Sequence, residues 1–310
     1  MRIFIAGATG AVGIRVVRLL AAAGHFVVGT TRTPEKEDLI RSVGGQAIVV
    51  DGLNAHAVRG AVAAAKPDVI IHEMTALSGG ELQHFDRTFA LTNRLRTEGL
   101  NHLLAAAKEF GVRRLIAQSY CGWPYARSGA TVKNEDNDLD PDPPRELQSS
   151  LNAIRYLETT LLGAAGIEGL ALRYGAFYGP HTGMLESSVL IQLRHRRFPL
   201  IGDGNGWWSF VHVDDAAGAT ARATDHGARG IYNIVDDDPA PVREWLPALA
   251  TLVDAKPPLR VPKWLGRLLA GDHLVKMMTE VRAGSNAKAK STLGWRPLHS
   301  SWREGFATSI

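Results

Sequence analysis

Cysteine is almost absent from this chain, since Cys121 is the only one among 310 residues. A single cysteine excludes an intrachain disulfide and is typical of proteins from a reducing compartment. Long apolar runs are also absent, and glycines and arginines interrupt the apolar N-terminus before it could form the core of a signal peptide. We therefore expect a cytoplasmic protein without a membrane partner.

A strong net charge is missing as well. The 35 Lys and Arg residues are nearly balanced by 31 Asp and Glu residues, and the arginines are dispersed along the sequence. This distribution argues against a nucleic-acid partner. The hydrophobic fraction of 45% is ordinary for a soluble enzyme. We expect a small-molecule substrate and no metal, and we allow for a homodimer.

Glycines are plentiful, and three of them form the most specific motif of the sequence, Gly7-Ala8-Thr9-Gly10-Ala11-Val12-Gly13. The motif separates a strand-like run at 2–6 from a helix-like stripe at 11–23. Gly7 permits a tight turn, Gly10 lets the backbone approach a pyrophosphate, and Gly13 allows close packing of helix on strand. Free N–H groups at the start of the helix favour phosphate. We predict a dinucleotide site here, which Thr9, Ala11 and Val12 also line; the alternative is an ordinary strand-to-helix turn.

Strand-like runs alternate with helical patterns through the first part of the chain, at 25–30, 46–51, 67–72, 113–119 and 169–173. This alternation predicts an α/β fold with a doubly wound parallel sheet and a ligand site at the carboxyl ends of its strands. We assign 1–174 and 211–235 to this nucleotide-binding domain. The segments 175–210 and 236–310 form a smaller substrate-binding cap. The stretch 129–144, rich in Asp and Pro, predicts a surface loop that could fold over the cofactor.

The end of the second predicted strand, Gly29-Thr30-Thr31-Arg32, indicates which nicotinamide cofactor is preferred. A carboxylate there would bind the ribose 2′-hydroxyl, whereas a cation would pair with a 2′-phosphate. Arg32 therefore favours NADP(H) over NAD(H), unless it is merely a solvated arginine. Asp51, followed by Gly52 and Leu53, closes the third strand. We predict that these three residues lie at the adenine, and an Asx turn is the alternative role for Asp51.

Further motifs follow in a specific order: Val69-Ile70-Ile71-His72, Leu172-Arg173-Tyr174-Gly175, Tyr178-Gly179-Pro180, Phe210-Val211-His212-Val213-Asp214-Asp215 and Leu293-Gly294-Trp295-Arg296-Pro297. With them, the chain resembles the extended short-chain dehydrogenase/reductases, the NAD-dependent epimerase/dehydratase group, over nearly its whole length. The resemblance implies a Rossmann domain with a C-terminal substrate cap. It also implies chemistry at the nicotinamide C4 and places His72 and Tyr174 near the cofactor.

The resemblance further implies a Tyr and a Lys four residues apart on one helix, and this pair is missing. Ser150 and Ile154 stand at the two positions. Tyr120, after the fifth strand, is our candidate proton donor, with Ser119 as a second one. Without a neighbouring Lys, the pKa of the Tyr120 phenol stays high, which suits donation better than abstraction. Alternatively, Tyr120 is an aromatic wall of the pocket.

Glu73 is the third catalytic candidate, because an acidic side chain after the fourth strand is unusual. It either acts as a base or pairs with a cation such as Arg96. For the neighbouring His72, packing is an equally good explanation.

For the substrate pocket we predict Cys121, Tyr125, Tyr178, His181 and Trp208. The Asp-Glu pair that nucleotide-sugar dehydratases carry is replaced by Cys121 and Gly122, which disfavours dehydration. Trp207-Trp208 stands where such enzymes tend to have an Arg, which favours an apolar or aromatic substrate. We expect an NADP(H)-dependent oxidoreductase that reduces a carbonyl or an activated alkene. The alternatives are an epimerase or isomerase using transient hydride transfer, and a noncatalytic NADP(H)-binding sensor or partner protein.

Overall fold

The computed structural model describes residues 1–76, 85–182, 185 and 187–309. The strands are β1 (Arg2–Ala6), β2 (Phe26–Thr31), β3 (Gln46–Val49), β4 (Val69–His72), β5 (Arg114–Tyr120), β6 (Val132–Lys133), β7 (Glu168–Tyr174), β8 (Ala176–Tyr178), β9 (Leu200–Ile201), β10 (Trp207–Trp208), β11 (Phe210–His212), β12 (Gly230–Ile234), β13 (Ala240–Pro241), β14 (Arg260–Val261) and β15 (Ala283–Gly284).

The helices are α1 (Ala11–Ala22), α2 (Glu37–Ser42), α3 (Ala55–Ala65), α4 (Phe85–Arg94), α5 (Leu100–Glu109), α6 (Arg145–Leu162), α7 (Ser187–Arg194), α8 (Val213–Arg222), α9 (Val242–Leu252), α10 (Lys263–Ala270), α11 (Asp272–Thr279) and α12 (Trp302–Ser309). A π-helical turn, Leu95–Gly99, joins α4 to α5. None of the described helices has the length and apolar character that a bilayer crossing requires.

A seven-stranded sheet in the order β12-β7-β5-β4-β1-β2-β3 forms the centre of the molecule, and all of its strands are parallel. The predicted doubly wound sheet is thereby confirmed. Strands β1 and β4 are buried along nearly their whole length, because helices cover both faces of the sheet. Continuous apolar strands are expected in such a sheet.

Two apolar layers hold the helices on the sheet. On one face, α1 packs against α8, and Val16 and Val17 are completely buried there. On the other face, α3, α5 and α6 contribute residues such as Val62, Leu103 and Leu157. The first layer also contains Leu293 and Trp295, so part of the segment that we assigned to the cap packs against the central sheet.

The cap has an aromatic core of its own. Phe210, Trp245, Trp302 and Phe306 pack against one another, with ring centroids 5.4–5.9 Å apart in the pairs that include Phe210. Such aromatic packing buries a large apolar area in a small number of residues. The short strands and helices after β8 thus pack on this aromatic core.

The segment 129–144 packs beside the α6 side of the sheet. It contains β6, which pairs with β15, and it lines a cavity of about 800 Å³ together with residues of α6 and β12. Because β7, β5 and β4 lie between β12 and β1, this cavity is separated from the glycine turn after β1. That this loop folds over the cofactor stays a prediction.

Candidate active site

The glycine turn between β1 and α1 is tightly constrained by the protein itself. Gly7 has a φ of +91°, and a Cβ on it would lie 2.6 Å from the carbonyl carbon of Glu73. A Cβ on Gly13 would lie 2.2 Å from the carbonyl oxygen of Gly7. Real side chains do not tolerate such distances, so both glycines are required for α1 to pack on the sheet.

Gly10 differs from the other two glycines. A Cβ there would meet only the Gly7 carbonyl oxygen, at 3.4 Å, and its φ of −72° is open to any residue. Gly10 caps α1 without a side-chain acceptor for the N–H groups of the first turn. The space in front of these N–H groups therefore fits an anion such as a pyrophosphate, and Thr9, Ala11 and Val12 lie beside it.

The ends of β2 and β3 lie side by side, because Thr31 pairs with Val49. Arg32, directly after β2, is exposed and forms no ion pair within the described part of the chain. Asp51 is also exposed, and its Oδ1 accepts a hydrogen bond of 3.0 Å from the Leu53 N–H. Asp51 thus forms the Asx turn that was our alternative. Gly52 between them is buried against Met74.

His72 has a structural environment. Its Nδ1 accepts a hydrogen bond from the Met74 N–H at 3.2 Å, so its Nε2–H donates to the Leu95 carbonyl at 3.0 Å. Burial lowers the pKa of His72 to about 4, which keeps the ring neutral. In this arrangement both ring nitrogens bind the backbone, and the contact of His72 with a cofactor stays a prediction.

Glu73 pairs with Tyr174 and not with Arg96, so the ion pair that was one of its two predicted roles is not formed. The Tyr174 hydroxyl lies 2.8 Å from the Glu73 Oε1 and 2.6 Å from the Thr220 hydroxyl. All three side chains are buried. Glu73 and Tyr174 bind each other. Because both are buried, a cofactor or substrate could reach neither group without a rearrangement.

Tyr120 ends β5 with its side chain half-buried, and its ring lies 6.2 Å from that of Trp123. Its hydroxyl forms no hydrogen bond with the described residues. Burial raises the pKa of the phenol, and the Arg96 guanidinium opposes this shift. A free phenol at the carboxyl end of a central strand is available to a ligand in the cleft.

Arg96, which lies in the π-helical turn, is the cation that interacts with Tyr120. It is 6% exposed, and its Nη1 donates a hydrogen bond of 3.3 Å to the Asn93 amide oxygen. Its Nε finds no partner in the described structure. Burial lowers the pKa of the guanidinium to about 10, so it remains a cation at neutral pH.

Ser119 faces away from Tyr120 and belongs to a buried polar network. Its hydroxyl donates to the Glu158 Oε1 at 2.7 Å, and Arg173 binds both carboxylate oxygens of Glu158, also at 2.7 Å. Arg173 further donates to the Tyr125 hydroxyl, which in turn donates to Asn233. The Ser119 proton is therefore engaged by a carboxylate, which argues against a second proton donor at this position.

Comparison with known proteins identifies the family of this chain. The sequence matches the model of the NAD dependent epimerase/dehydratase family over residues 3–235. The chain belongs to this family. It is similar to the 3-diazoavenalumate denitrifying reductase of a Streptomyces species, with 39% identity over 98% of this chain and 99% of that protein.

Solved structures of the family have the same fold. The UDP-glucose 4-epimerase of Thermotoga maritima with UDP-glucose has a TM-score of 0.79 at 21% identity, over 100% of this chain and 97% of that chain. The UDP-glucose 4-epimerase of Thermus thermophilus with NAD has a TM-score of 0.75 at 22% identity, over the same shares. The chain is an NAD(P)-dependent oxidoreductase of the extended short-chain dehydrogenase/reductase type.

Helix α6 shows what occupies the positions of the missing Tyr and Lys of the family. Ser150 and Ile154 are both buried, and the Ser150 hydroxyl accepts a hydrogen bond of 3.0 Å from the Asn93 amide. Asn93 also binds Arg96, so a chain of polar contacts runs from α6 to the π-helical turn. Arg96 at the end of this chain of contacts interacts electrostatically with the Tyr120 phenol.

The five predicted pocket residues have different environments. Cys121, Tyr125 and Tyr178 are completely or almost completely buried. Burial raises the pKa of the Cys121 thiol to about 12, which makes it inert. His181 is exposed in a turn with a φ of +65°, and Trp208 is half-buried with its Nε1 donating to the Met277 carbonyl at 2.9 Å. His181 and Trp208 are the two that a ligand can reach without rearrangement.

Sequence reasoning missed an apolar cluster between α4, α6 and α11. It contains buried Phe85 and Met277, with Trp123 and Trp208 packed against it. Phe85 stacks on Phe89 at 4.1 Å and meets Trp123 edge to face at 5.8 Å. Trp123, three residues after Tyr120, could have been found as the next large aromatic residue after the fifth strand.

Proposed function

We propose that the chain is an NADPH-dependent reductase of a fairly apolar small molecule, with Tyr120 as the proton donor. The observation that carries the proposal is the unbonded phenol of Tyr120 at the carboxyl end of β5, beside the ring of Trp123. A phenol in this position can donate to a substrate oxygen as charge develops on it. NADPH supplies the hydride when it is bound.

The preference for NADPH rests on Arg32. An exposed guanidinium without an ion-pair partner among the described residues is free to bind a 2′-phosphate. The open space before α1 would hold the pyrophosphate on the first-turn N–H groups. Because the Asp51 Oδ1 already accepts a hydrogen bond from the Leu53 N–H, Asp51 would bind the adenine edge through its remaining carboxylate lone pairs.

The raised pKa of Tyr120 favours a reductase over an epimerase. An epimerase that begins with oxidation needs a base able to accept a proton from an alcohol. Burial keeps the proton on the Tyr120 phenol, and Glu73 is turned toward Tyr174. Both observations support proton donation to the substrate.

The relative with 39% identity over nearly the full length of both chains favours one specific reaction, the reductive removal of nitrogen from a diazo compound. When a diazonium ion is reduced, its C–N bond breaks, N₂ leaves and a C–H bond forms with the hydride, so no proton is needed. A neutral diazo compound takes up one proton in addition. Loss of the Tyr-Lys pair is compatible with this chemistry, because at most a single proton donor remains necessary.

A substrate panel tests the proposal. Purified protein with NADPH is mixed with aryl diazonium salts, diazo ketones, aromatic aldehydes and enones, and the NADPH absorbance and the product masses are followed. We expect NADPH oxidation that depends on protein, with the nitrogen-free product from the diazo compounds. Oxidation with the carbonyl compounds alone would reject the diazo reaction but retain the reductase. Tight NADPH binding without oxidation by any class would favour the sensor.

A further inference from the structure

Arg96 is a buried cation without a counter-ion in the described structure. Arg96 is 6% exposed, and the 3.3 Å bond to the neutral Asn93 amide is the single hydrogen bond of its side chain with the described residues. Its Nε has no partner. A buried charge is unfavourable unless it is paired, so an arrangement of this kind persists where a ligand supplies the opposite charge.

The groups that face Arg96 do not supply that charge. Glu158 contributes a favourable electrostatic interaction, but both of its oxygens are bound by Arg173. His72 is neutral, and the guanidinium further disfavours its protonated form. Tyr120 retains its proton, because burial raises the pKa of its phenol. Every ionisable neighbour from β4, β5 and α6 is thus neutral or already paired.

The backbone around Arg96 is also unusual. Arg96 lies in the π-helical turn Leu95–Gly99, and π-helical turns occur frequently at functional sites. Hydrogen bonds from Arg96 to Asn93 and from Asn93 to Ser150 connect the guanidinium to α6. There it is an electrostatic neighbour of Tyr120, whose hydroxyl is free.

We infer that Arg96 binds an oxyanion of the substrate, of the phenolate or enolate type, that is conjugated with the carbon receiving the hydride. This inference rests on the proposed function, because it places the oxygen beside the proton donor Tyr120. A fixed cation beside such an oxygen stabilises its negative charge, which becomes concentrated on the oxygen when hydride adds to the conjugated carbon. The substrate class is accordingly an aromatic or unsaturated molecule with an ionisable hydroxyl group close to the reducible group.

A chromophoric phenol tests the inference without turnover. The probe is 4-nitrophenol, whose ionised form absorbs visible light, titrated against the protein saturated with NADP⁺ over a range of pH. We expect the wild type to bind the phenolate at least about tenfold more tightly than the phenol, which appears as a lowered pKa of the bound probe. In Arg96→Gln this preference disappears, whereas Arg96→Lys retains part of it.

Arg94→Gln is the matched control, since Arg94 lies one turn before the π-helical turn and pairs with Glu98 on the surface. It should leave the probe pKa unchanged. Arg96→Met removes the buried charge without leaving an unpaired amide and serves if Arg96→Gln does not fold. A wild type that binds both forms equally or binds neither, or a Gln or Met variant that keeps the preference, overturns the inference.

The two proposals fail separately. A protein that oxidises no NADPH with any substrate loses the proposed reductase function, while the probe titration still reports on Arg96. Conversely, active wild-type enzyme without a phenolate preference loses the oxyanion site alone. A structural role of Arg96 would weaken both forms of the probe equally and lower the thermal stability.

Discussion

The hydroxyl group of Tyr174 donates a hydrogen bond of 2.8 Å to the carboxyl group of Glu73, and both side chains are buried between the sheet and α8. Burial raises the pKa of Glu73 to about 8, although the Tyr174 bond opposes this shift. The neutral carboxyl group is therefore favoured in the folded protein at neutral pH. Burial of this carboxyl group therefore makes stability depend on pH.

Glu73→Gln should reduce that dependence. The pKa of Glu73 is raised from an unfolded value near 4.3, so the folded state holds more protons between about pH 5 and 8 and wild-type stability falls as pH rises there. One such group contributes a slope of up to about 1.4 kcal/mol per pH unit. Urea unfolding at several pH values should show a flatter profile for Glu73→Gln, and the exposed control Glu35→Gln should follow the wild type. Equal slopes in both variants would contradict a raised pKa.

Tyr120→Phe separates the two reductive reactions. A lost proton donor should lower turnover of a carbonyl substrate by about 10²–10⁴-fold, because the alkoxide must then be protonated by water. Reduction of a diazonium ion needs no proton and should change little. Initial rates under saturating NADPH measure both, with Tyr156→Phe on the outer face of α6 as the control. Full carbonyl turnover in Tyr120→Phe would rule out the proton-donor role.

Arg32→Ala tests the cofactor preference. Loss of a charge-assisted hydrogen bond to a 2′-phosphate should raise the Kd for NADPH by about 10–100-fold and leave the Kd for NADH nearly unchanged. Fluorescence titration of both reduced cofactors gives the two constants. Arg41→Ala, which removes an exposed arginine already paired with Asp38, is the control. Tighter wild-type binding of NADH than of NADPH would disprove the preference.

Gly13→Ala should reduce stability, whereas Gly10→Ala should reduce cofactor binding. The Cβ of Gly13→Ala overlaps the Gly7 carbonyl oxygen, so we expect a loss of about 1–3 kcal/mol in unfolding free energy. The Cβ of Gly10→Ala has room in the free protein, so its stability should be close to that of the wild type while NADPH binding weakens at least about tenfold. Urea unfolding and cofactor titration on both variants distinguish these outcomes. Unchanged NADPH affinity in Gly10→Ala would place the pyrophosphate elsewhere.

Local sequence patterns were sufficient for the sheet. The buried runs of β1 and β4 and the glycine turn can each be recognised within a short stretch of sequence, and the predicted strands agree with the structure to within two residues. The family also follows from motifs that are contiguous in sequence.

Side-chain partners could not be predicted in the same way. Ser119 and Tyr120 are neighbours in sequence, yet Ser119 binds Glu158 on α6 whereas Tyr120 has no partner among the described residues. For Glu73 the sequence left a catalytic base and a pairing with Arg96 open. In the structure, the adjacent residues His72 and Glu73 bind groups from different elements, Leu95 and Tyr174. Such choices depend on which helix covers each face, and local patterns in the sequence do not show this.

The separate origins of Tyr120 and Arg96 have a mechanical consequence. A Tyr and a Lys four residues apart on one helix are held at a fixed separation by the helical repeat itself. Here the phenol comes from the end of β5 and the cation from the π-helical turn Leu95–Gly99. Their separation consequently depends on the thickness of the apolar layer between sheet and helices, so a methyl group gained or lost at a buried site such as Leu100 can change the distance between the phenol and the guanidinium.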